Sequence, residues 1–146
     1  LKRKGSGWEE LTLHVGLGTF RPVKDPDLSA HRMHEERFFI SPETAARITG
    51  AKRAGRRIVA VGTTSVRTLE SAWNPVTREL ASGPGRTSIF IRPGGPKRIE
   101  LVDRLITNFH LPRSTLLMLV CSFAGTELVL RAYEEAVREK YRFFSY

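Results

Sequence analysis

Arg57-Ile58-Val59-Ala60-Val61-Gly62-Thr63-Thr64-Ser65-Val66-Arg67 is the stretch whose reading decides the fold. Arg57 to Val61 is short, nearly continuous in apolar residues and β-branched, the composition of a strand buried on both faces of a parallel sheet. Gly62 turns the chain, and Thr63 or Thr64 is placed to cap a helix reaching about Trp73, which Asn74-Pro75 ends. A strand that hands over directly to a helix is the building unit of an α/β protein.

The same alternation extends outward on both sides. Upstream, Leu11 to Val15 alternates as a strand ending in Gly16-Leu17-Gly18, and Pro22 and Pro26 keep the following stretch open. Arg37 to Ile40 reads as a second strand. Ser41-Pro42-Glu43 is a helix start, with a capping hydroxyl, a first-turn proline and an acid at the positive helix end, and Gly55 stops that helix after about Ala54. Downstream, Ser82 to Gly85 reads as a loop, Ser88 to Ile91 as a strand closed by Pro93-Gly94-Gly95-Pro96, and Leu101 to Thr107 as another strand. A helix from about Ser114 to Phe123 is apolar nearly all round and so expected to be buried. A final helix, Thr126 to about Lys140, has a stripe of Val129, Tyr133, Ala136 and Val137, with Glu134 four residues before Arg138 on its exposed face. The expected class is α/β, a mixed sheet core with flanking helices.

Composition limits the function classes. The chain of 146 residues has 40% hydrophobic and 27% charged residues, which suits one folded domain and excludes a disordered chain. Lysine and arginine number 24 against 15 acids, a formal charge of +9 that attracts polyanions such as RNA, although an arginine-biased composition alone produces the same excess. The one cysteine, Cys121, lies in an apolar run, offers neither a disulfide partner nor metal-ligand spacing, and fits a reducing, cytoplasmic setting. No run approaches the roughly 18 apolar residues of a membrane span, so no membrane is expected. The chain starts on Leu1-Lys2-Arg3-Lys4 without methionine and stops on Phe143-Phe144-Ser145-Tyr146, which together read as a segment of something longer, incomplete at both ends.

Four segments carry candidate chemistry. His14-Val15-Gly16-Leu17-Gly18-Thr19-Phe20 lets backbone approach a ligand, but lacks the third glycine and the helix of a dinucleotide fingerprint; a tight turn with a strand-end histidine is its plainer reading. Gly62 to Arg67 offers free N–H groups, hydroxyls and a guanidinium at a helix start, which suits a carboxylate or a phosphate, with simple threonine capping as the alternative. Thr107-Asn108-Phe109-His110-Leu111-Pro112-Arg113-Ser114-Thr115 packs an amide, an imidazole, a guanidinium and hydroxyls beside a buried helix, where unpaired polar groups are costly; a satisfied structural loop is the alternative. His31-Arg32-Met33-His34-Glu35-Glu36 lacks a zincin pattern and a third ligand, so metal is rejected there, while His34 with Glu35 retains an acid–base or orienting role. From the residues alone no reaction can be named.

At these segments the sequence resembles the S-adenosylmethionine:tRNA ribosyltransferase-isomerase family of queuosine biosynthesis. The matching blocks are LTLHVGLGTFRPV (Leu11 to Val23), MHEERFFIS (Met33 to Ser41), IVAVGTTSVRTLES (Ile58 to Ser71), SIFIRPG (Ser88 to Gly94), LITNFHLPRSTLLMLVCSFAG (Leu105 to Gly125) and AYEEAVREKYRFFSY (Ala132 to Tyr146). They follow the family's order and cover nearly the whole chain, with Ser88 standing where the family usually has aspartate. The resemblance implies that residues 1–146 are the C-terminal part of an α/β core whose inserted β-barrel domain lies outside this chain, and that the fragment alone is inactive.

The resemblance further implies that S-adenosylmethionine donates its ribosyl moiety, without a metal, to 7-aminomethyl-7-deazaguanine in a tRNA anticodon, giving epoxyqueuosine, adenine and methionine. His14 and His110, at strand ends, are then the candidates for proton transfer. Gly16, Gly18 and Thr19 would admit the cofactor against backbone; Thr63, Thr64, Ser65 and Arg67 would hold its carboxylate or an RNA phosphate; Asn108 and Ser114 would orient groups beside His110. Arg86, Arg92, Lys97 and Arg98 would meet tRNA phosphates. The rival readings are an S-adenosylmethionine-dependent RNA methyltransferase, which would want a glycine-rich turn leading into a helix, and a non-catalytic RNA-binding module. The oligomeric state is not legible.

Overall fold

The computed structural model describes residues 2–16, 28 and 31–143; the expectations for Gly18, Thr19, Pro22, Pro26 and the terminal Phe144 to Tyr146 lie outside them. After a 3-10 turn at Lys2–Lys4, strands β1 (Thr12–His14) and β2 (Glu36–Ile40) pair antiparallel, Leu13 opposite Phe38. Along β2 the side chains of Glu36, Phe38 and Ile40 are buried and those of Arg37 and Phe39 are exposed, the period of two that a half-buried sheet requires. Helix α1 (Pro42–Arg53) follows, its start capped by Ser41 Oγ, which accepts the Thr44 N–H at 3.1 Å, and its end turned by Gly55 at φ 69°.

β3 (Val59–Val61) leads through Gly62 into α2 (Thr63–Ala72), as the strand-to-helix reading requires. The helix start differs in detail. Gly62 itself is the N-cap, at φ 89°, so no threonine side chain caps the helix. Beyond α2 the chain forms a small hairpin that the sequence did not signal, β4 (Trp73–Asn74) against β5 (Glu79–Leu80), tied to α1 where Thr49 Oγ1 accepts the Leu80 N–H at 3.0 Å.

The expected loop at Ser82–Gly85 is largely a strand, and the expected strand at Ser88–Ile91 is not one. β6 (Gly83–Thr87) pairs antiparallel with β2 and completes a sheet of order β1-β2-β6. Two features allow this. Pro84 sits on an edge strand, where a missing N–H is tolerated, and Gly85 lies under Phe38, where a Cβ would come within 2.3 Å of the ring. Thr87 Oγ1 then accepts the Ile89 N–H at 3.2 Å, a local bond that competes with continued pairing.

β7 (Arg104–Ile106) runs parallel to β3, with Val61 opposite Ile106. The segment before it is held by Glu70 of α2. That carboxylate, fully buried, accepts the N–H groups of Glu100 (3.0 Å), Leu101 (2.9 Å) and Val102 (2.9 Å). The strand expected from Leu101 therefore begins only at Arg104, because its first donors belong to a side chain. Burial of β3 on both faces is also corrected. Ala60 is buried, but Val59 and Val61 are 51% and 57% exposed and Ile106 is 61% exposed, since among the described residues only one face of this two-stranded ribbon is covered.

α3 (Thr115–Ala124) and α4 (Thr126–Arg138) meet at Gly125, φ 88°, with a bend of 115°. Among the described residues no single helix is long and apolar enough to cross a membrane. α3 buries Leu116, Leu119 and Cys121, whereas other residues expected inside are only partly covered. On α4 Val129 and Ala136 are buried, but Val137 is exposed. Arg138 pairs with Glu135 and Glu139 rather than with Glu134, the nearer carboxylates taking the guanidinium. The core gathers Ile40, Val66, Leu101 and Leu119 around Phe38 and Trp73, each such side chain contributing about 1.5–3 kcal/mol when fully buried.

Candidate active site

Parallel pairing of β3 with β7 brings two of the four candidate segments to one edge. The Gly62 N–H donates to the Ile106 carbonyl at 2.8 Å, so the start of α2 and the loop beginning at Thr107 leave the sheet side by side. Crevices outside the carboxyl ends of parallel strands are where α/β proteins hold ligands. The N-cap at Gly62 leaves the first N–H groups of α2 without a side-chain cap, in the field of the helix's positive end. Thr63 is buried, while Thr64 and Ser65 are half-buried; the Ser65 hydroxyl donates to the Val61 carbonyl at 2.7 Å.

His110, the imidazole of the loop, is held by two hydrogen bonds. It is half-buried, its Nε2 lies 3.0 Å from Thr107 Oγ1, and its backbone N–H donates to the Tyr133 hydroxyl at 2.7 Å. Burial pushes its pKa below the usual histidine value, which favours the neutral, proton-accepting form near neutral pH. Phe109 packs edge-on against Tyr133, ring centroids 5.1 Å apart, and lies 5.4 Å from the Phe143 ring. Burial likewise pushes the Tyr133 phenol up, so it remains protonated. Arg113 takes φ 56°, a left-handed conformation that non-glycine residues adopt rarely and that clusters at functional loops. Ser114 is committed to structure: its Oγ accepts the Leu117 N–H at 3.1 Å as the cap of α3 and donates to the Leu111 carbonyl at 2.7 Å. Asn108 is exposed.

The first segment joins through a residue given no role in the sequence reading. His14 is exposed at the end of β1, opposite Arg37. Two residues on, the Gly16 N–H donates to Glu36 Oε1 at 3.0 Å. The other Glu36 oxygen is ion-paired with Arg67 of α2, and both side chains are buried, 2% exposed for Arg67 and 0% for Glu36. The sequence reading offers Arg67 to a ligand carboxylate or an RNA phosphate; the structure instead gives its guanidinium to Glu36, inside the protein. Its Nε and Nη2 are buried with no hydrogen-bond partner among the described residues. Glu36 and Tyr133 were missed because nothing local marks them: one reads as a charge beside a strand, the other as a stripe residue of a helix.

The basic residues do not form one surface. Arg92, Lys97 and Arg98 line a cleft of about 650 Å³ against Ser122 and Phe123 of α3. The Arg92 guanidinium lies 5.8 Å over the Phe90 ring. Arg86 is not among the cleft residues; it projects from β6 and pairs with Glu35 at 2.6 Å, an exposed bond that also occupies the acid expected to assist His34.

The whole chain, residues 1–146, matches the family model described as "Queuosine biosynthesis protein". It is 60% identical over its full length to a protein of Anaeromyxobacter dehalogenans (strain 2CP-C) and 53% identical to one of Treponema denticola, both named S-adenosylmethionine:tRNA ribosyltransferase-isomerase. It spans 41% and 42% of those relatives' lengths. The crystal structure of an S-adenosylmethionine tRNA ribosyltransferase from Thermotoga maritima superimposes with a TM-score of 0.73 at 44% identity, covering 99% of this chain and 44% of that one. The chain is therefore a partial-length member of the queuosine biosynthesis protein family, the S-adenosylmethionine:tRNA ribosyltransferase-isomerases.

Proposed function

We propose that this chain forms the larger part of the chemical site of an enzyme that moves the ribosyl moiety of S-adenosylmethionine onto 7-aminomethyl-7-deazaguanine in a tRNA anticodon. Epoxyqueuosine forms, and adenine and methionine leave. The observation that carries the reading is the meeting of a helix start without a side-chain cap with the His110 loop at the carboxyl ends of β3 and β7, in a chain 60% identical to a relative of that name. The sulfonium acidifies the adjacent ribose carbon. A neutral, half-buried imidazole is suited to take that proton, which favours His110 for the role; His14, exposed at the end of β1, serves the second transfer, to the leaving purine.

Gly16, with Gly18 and Thr19, admits the cofactor against backbone. Thr63, Thr64 and Ser65 offer the start of α2 to the methionyl carboxylate, and Asn108 orients groups beside His110. Ser114 contributes by fixing the loop. Arg92, Lys97 and Arg98 hold RNA phosphates as a group, with Arg86 a weaker contact because Glu35 already neutralises it. The reading puts the reaction where tRNA is, in the cytoplasm.

The test is adenine release from S-adenosylmethionine by the full-length protein, with and without tRNA carrying the aminomethyl-deazaguanine. Adenine appearing only with that tRNA, and lost in His110→Ala without loss of fold, is the expected result. S-adenosylhomocysteine as the product would point to a methyltransferase, and RNA binding without either product to a binding module.

A further inference from the structure

We infer that Glu36 and Arg67 are a positioning pair that sets the glycine strand end and the start of α2 at the separation the cofactor requires; the inference rests on the function proposed above. Three observations lead to it. Glu36 touches both segments, accepting the Gly16 N–H at 3.0 Å through one oxygen and holding Arg67 through the other. The pair is fully internal, and a buried ion pair roughly breaks even against apolar residues of the same size, so stability alone does not account for it. Arg67 moreover keeps two buried nitrogens, Nε and Nη2, without acceptors among the described residues, and a buried donor left unsatisfied carries a cost that an apolar side chain would not.

What the pair does supply is fixed geometry. β1 and α2 pack against each other, and among the described residues β1 pairs with β2 alone in its sheet. Glu36, on the first position of β2, is among the described residues the one side chain hydrogen-bonded to both the backbone beyond β1 and the side chain of Arg67 on α2. S-adenosylmethionine is long, with its carboxylate at one end and its adenosine at the other. A ligand held by the start of α2 at one end and by the backbone at Gly16 at the other senses any change in their separation. Glu36 and Arg67 act on it through Gly16 and the Thr63 to Ser65 turn, touching neither reacting atom.

The experiment is a two-residue swap in the full-length protein. The double variant Glu36→Leu/Arg67→Met removes both charges and the Gly16 acceptor together, so no unpaired ion is left inside, and a melting temperature close to that of the parent shows that the fold survives. S-adenosylmethionine binding is measured by calorimetry, and KM and kcat by adenine release. Positioning predicts a Kd and a KM raised by about tenfold or more, the equivalent of one well-placed hydrogen bond lost. Parent-like Kd and KM in the folded double variant would overturn the inference and make the pair merely structural. Glu36→Asp gives an independent reading, because it keeps a buried carboxylate but is one methylene too short to reach both Arg67 and Gly16; an unchanged KM there overturns the inference even if the double variant fails to fold. A parent protein that neither binds S-adenosylmethionine nor releases adenine brings down the proposed function itself, and this inference with it.

Discussion

Replacing Glu70 by alanine tests how α2 holds the segment that leads into β7. The buried carboxylate accepts three backbone N–H groups, at 3.0, 2.9 and 2.9 Å, from a segment roughly thirty residues downstream. Leu101 and Val102, which supply two of them, are 0% and 5% exposed, so water does not readily replace the lost acceptor. A buried donor left unsatisfied costs about 1–3 kcal/mol, and hydrogen bonds to a charged group contribute about 1.5–3 kcal/mol each. Against this, alanine relieves the cost of keeping a carboxylate out of water. The net expectation is near the lower end, about 3 kcal/mol, a large share of the 5–15 kcal/mol typical of a folded domain. For a chain of this size that corresponds to a melting temperature lower by roughly 10 °C.

Glu70→Gln retains one carbonyl oxygen and turns an amide N–H toward a donor, so about half the loss is expected. Thermal and urea unfolding followed by circular dichroism measure the global effect. Amide exchange at Leu101 and Val102 measures the local one, with protection falling by about a hundredfold for 3 kcal/mol. A Glu70→Ala protein that melts with its parent and keeps slow exchange at both amides would refute the reasoning, since it would mean those N–H groups do not depend on the carboxylate.

Two further outcomes concern His110. Burial holds its folded pKa below the ordinary value of 6.5, so the unfolded chain takes up the proton first. Above pH 6.5 both states are neutral and the group contributes nothing; as pH falls below 6.5 toward the folded pKa, stability declines. Melting temperatures measured between pH 7.5 and 5 should therefore fall less steeply for His110→Gln than for the parent, and equal slopes would remove the group from the linkage. Tyr133→Phe removes the acceptor of the His110 N–H while keeping the ring against Phe109. Turnover in the adenine-release assay should drop about tenfold, near 1.4 kcal/mol, with S-adenosylmethionine affinity held; unchanged turnover would show that the tyrosine does not position the loop.

Much of the architecture follows from local rules and is legible in the sequence. Ser41 caps α1 because a serine oxygen reaches an N–H three residues on. The run Val59–Val61 becomes a parallel strand before a helix because an apolar β-branched segment ending in glycine has few other options. The candidate segments around His14, Gly62 and His110 are likewise visible as residue types, and the blocks at Leu11 to Val23, Ile58 to Ser71 and Leu105 to Gly125 carry the family resemblance unaided.

What the sequence does not record is pairing over distance. Gly83-Pro84-Gly85 has the composition of a loop, and it becomes a strand by pairing with β2, where Gly85 leaves room for the Phe38 ring. Arg67 reads as a ligand-binding cation until Glu36 is found thirty-one positions away, taking its charge inward. Tyr133 reads as core, and its hydroxyl is committed to His110 only when α4 folds back over the loop. Local structure follows from a residue's neighbours in the chain, because caps, turns and periodicity act within a few bonds. The partner of a buried charge or hydroxyl is chosen by packing, and packing exists only once the strands and helices have assembled.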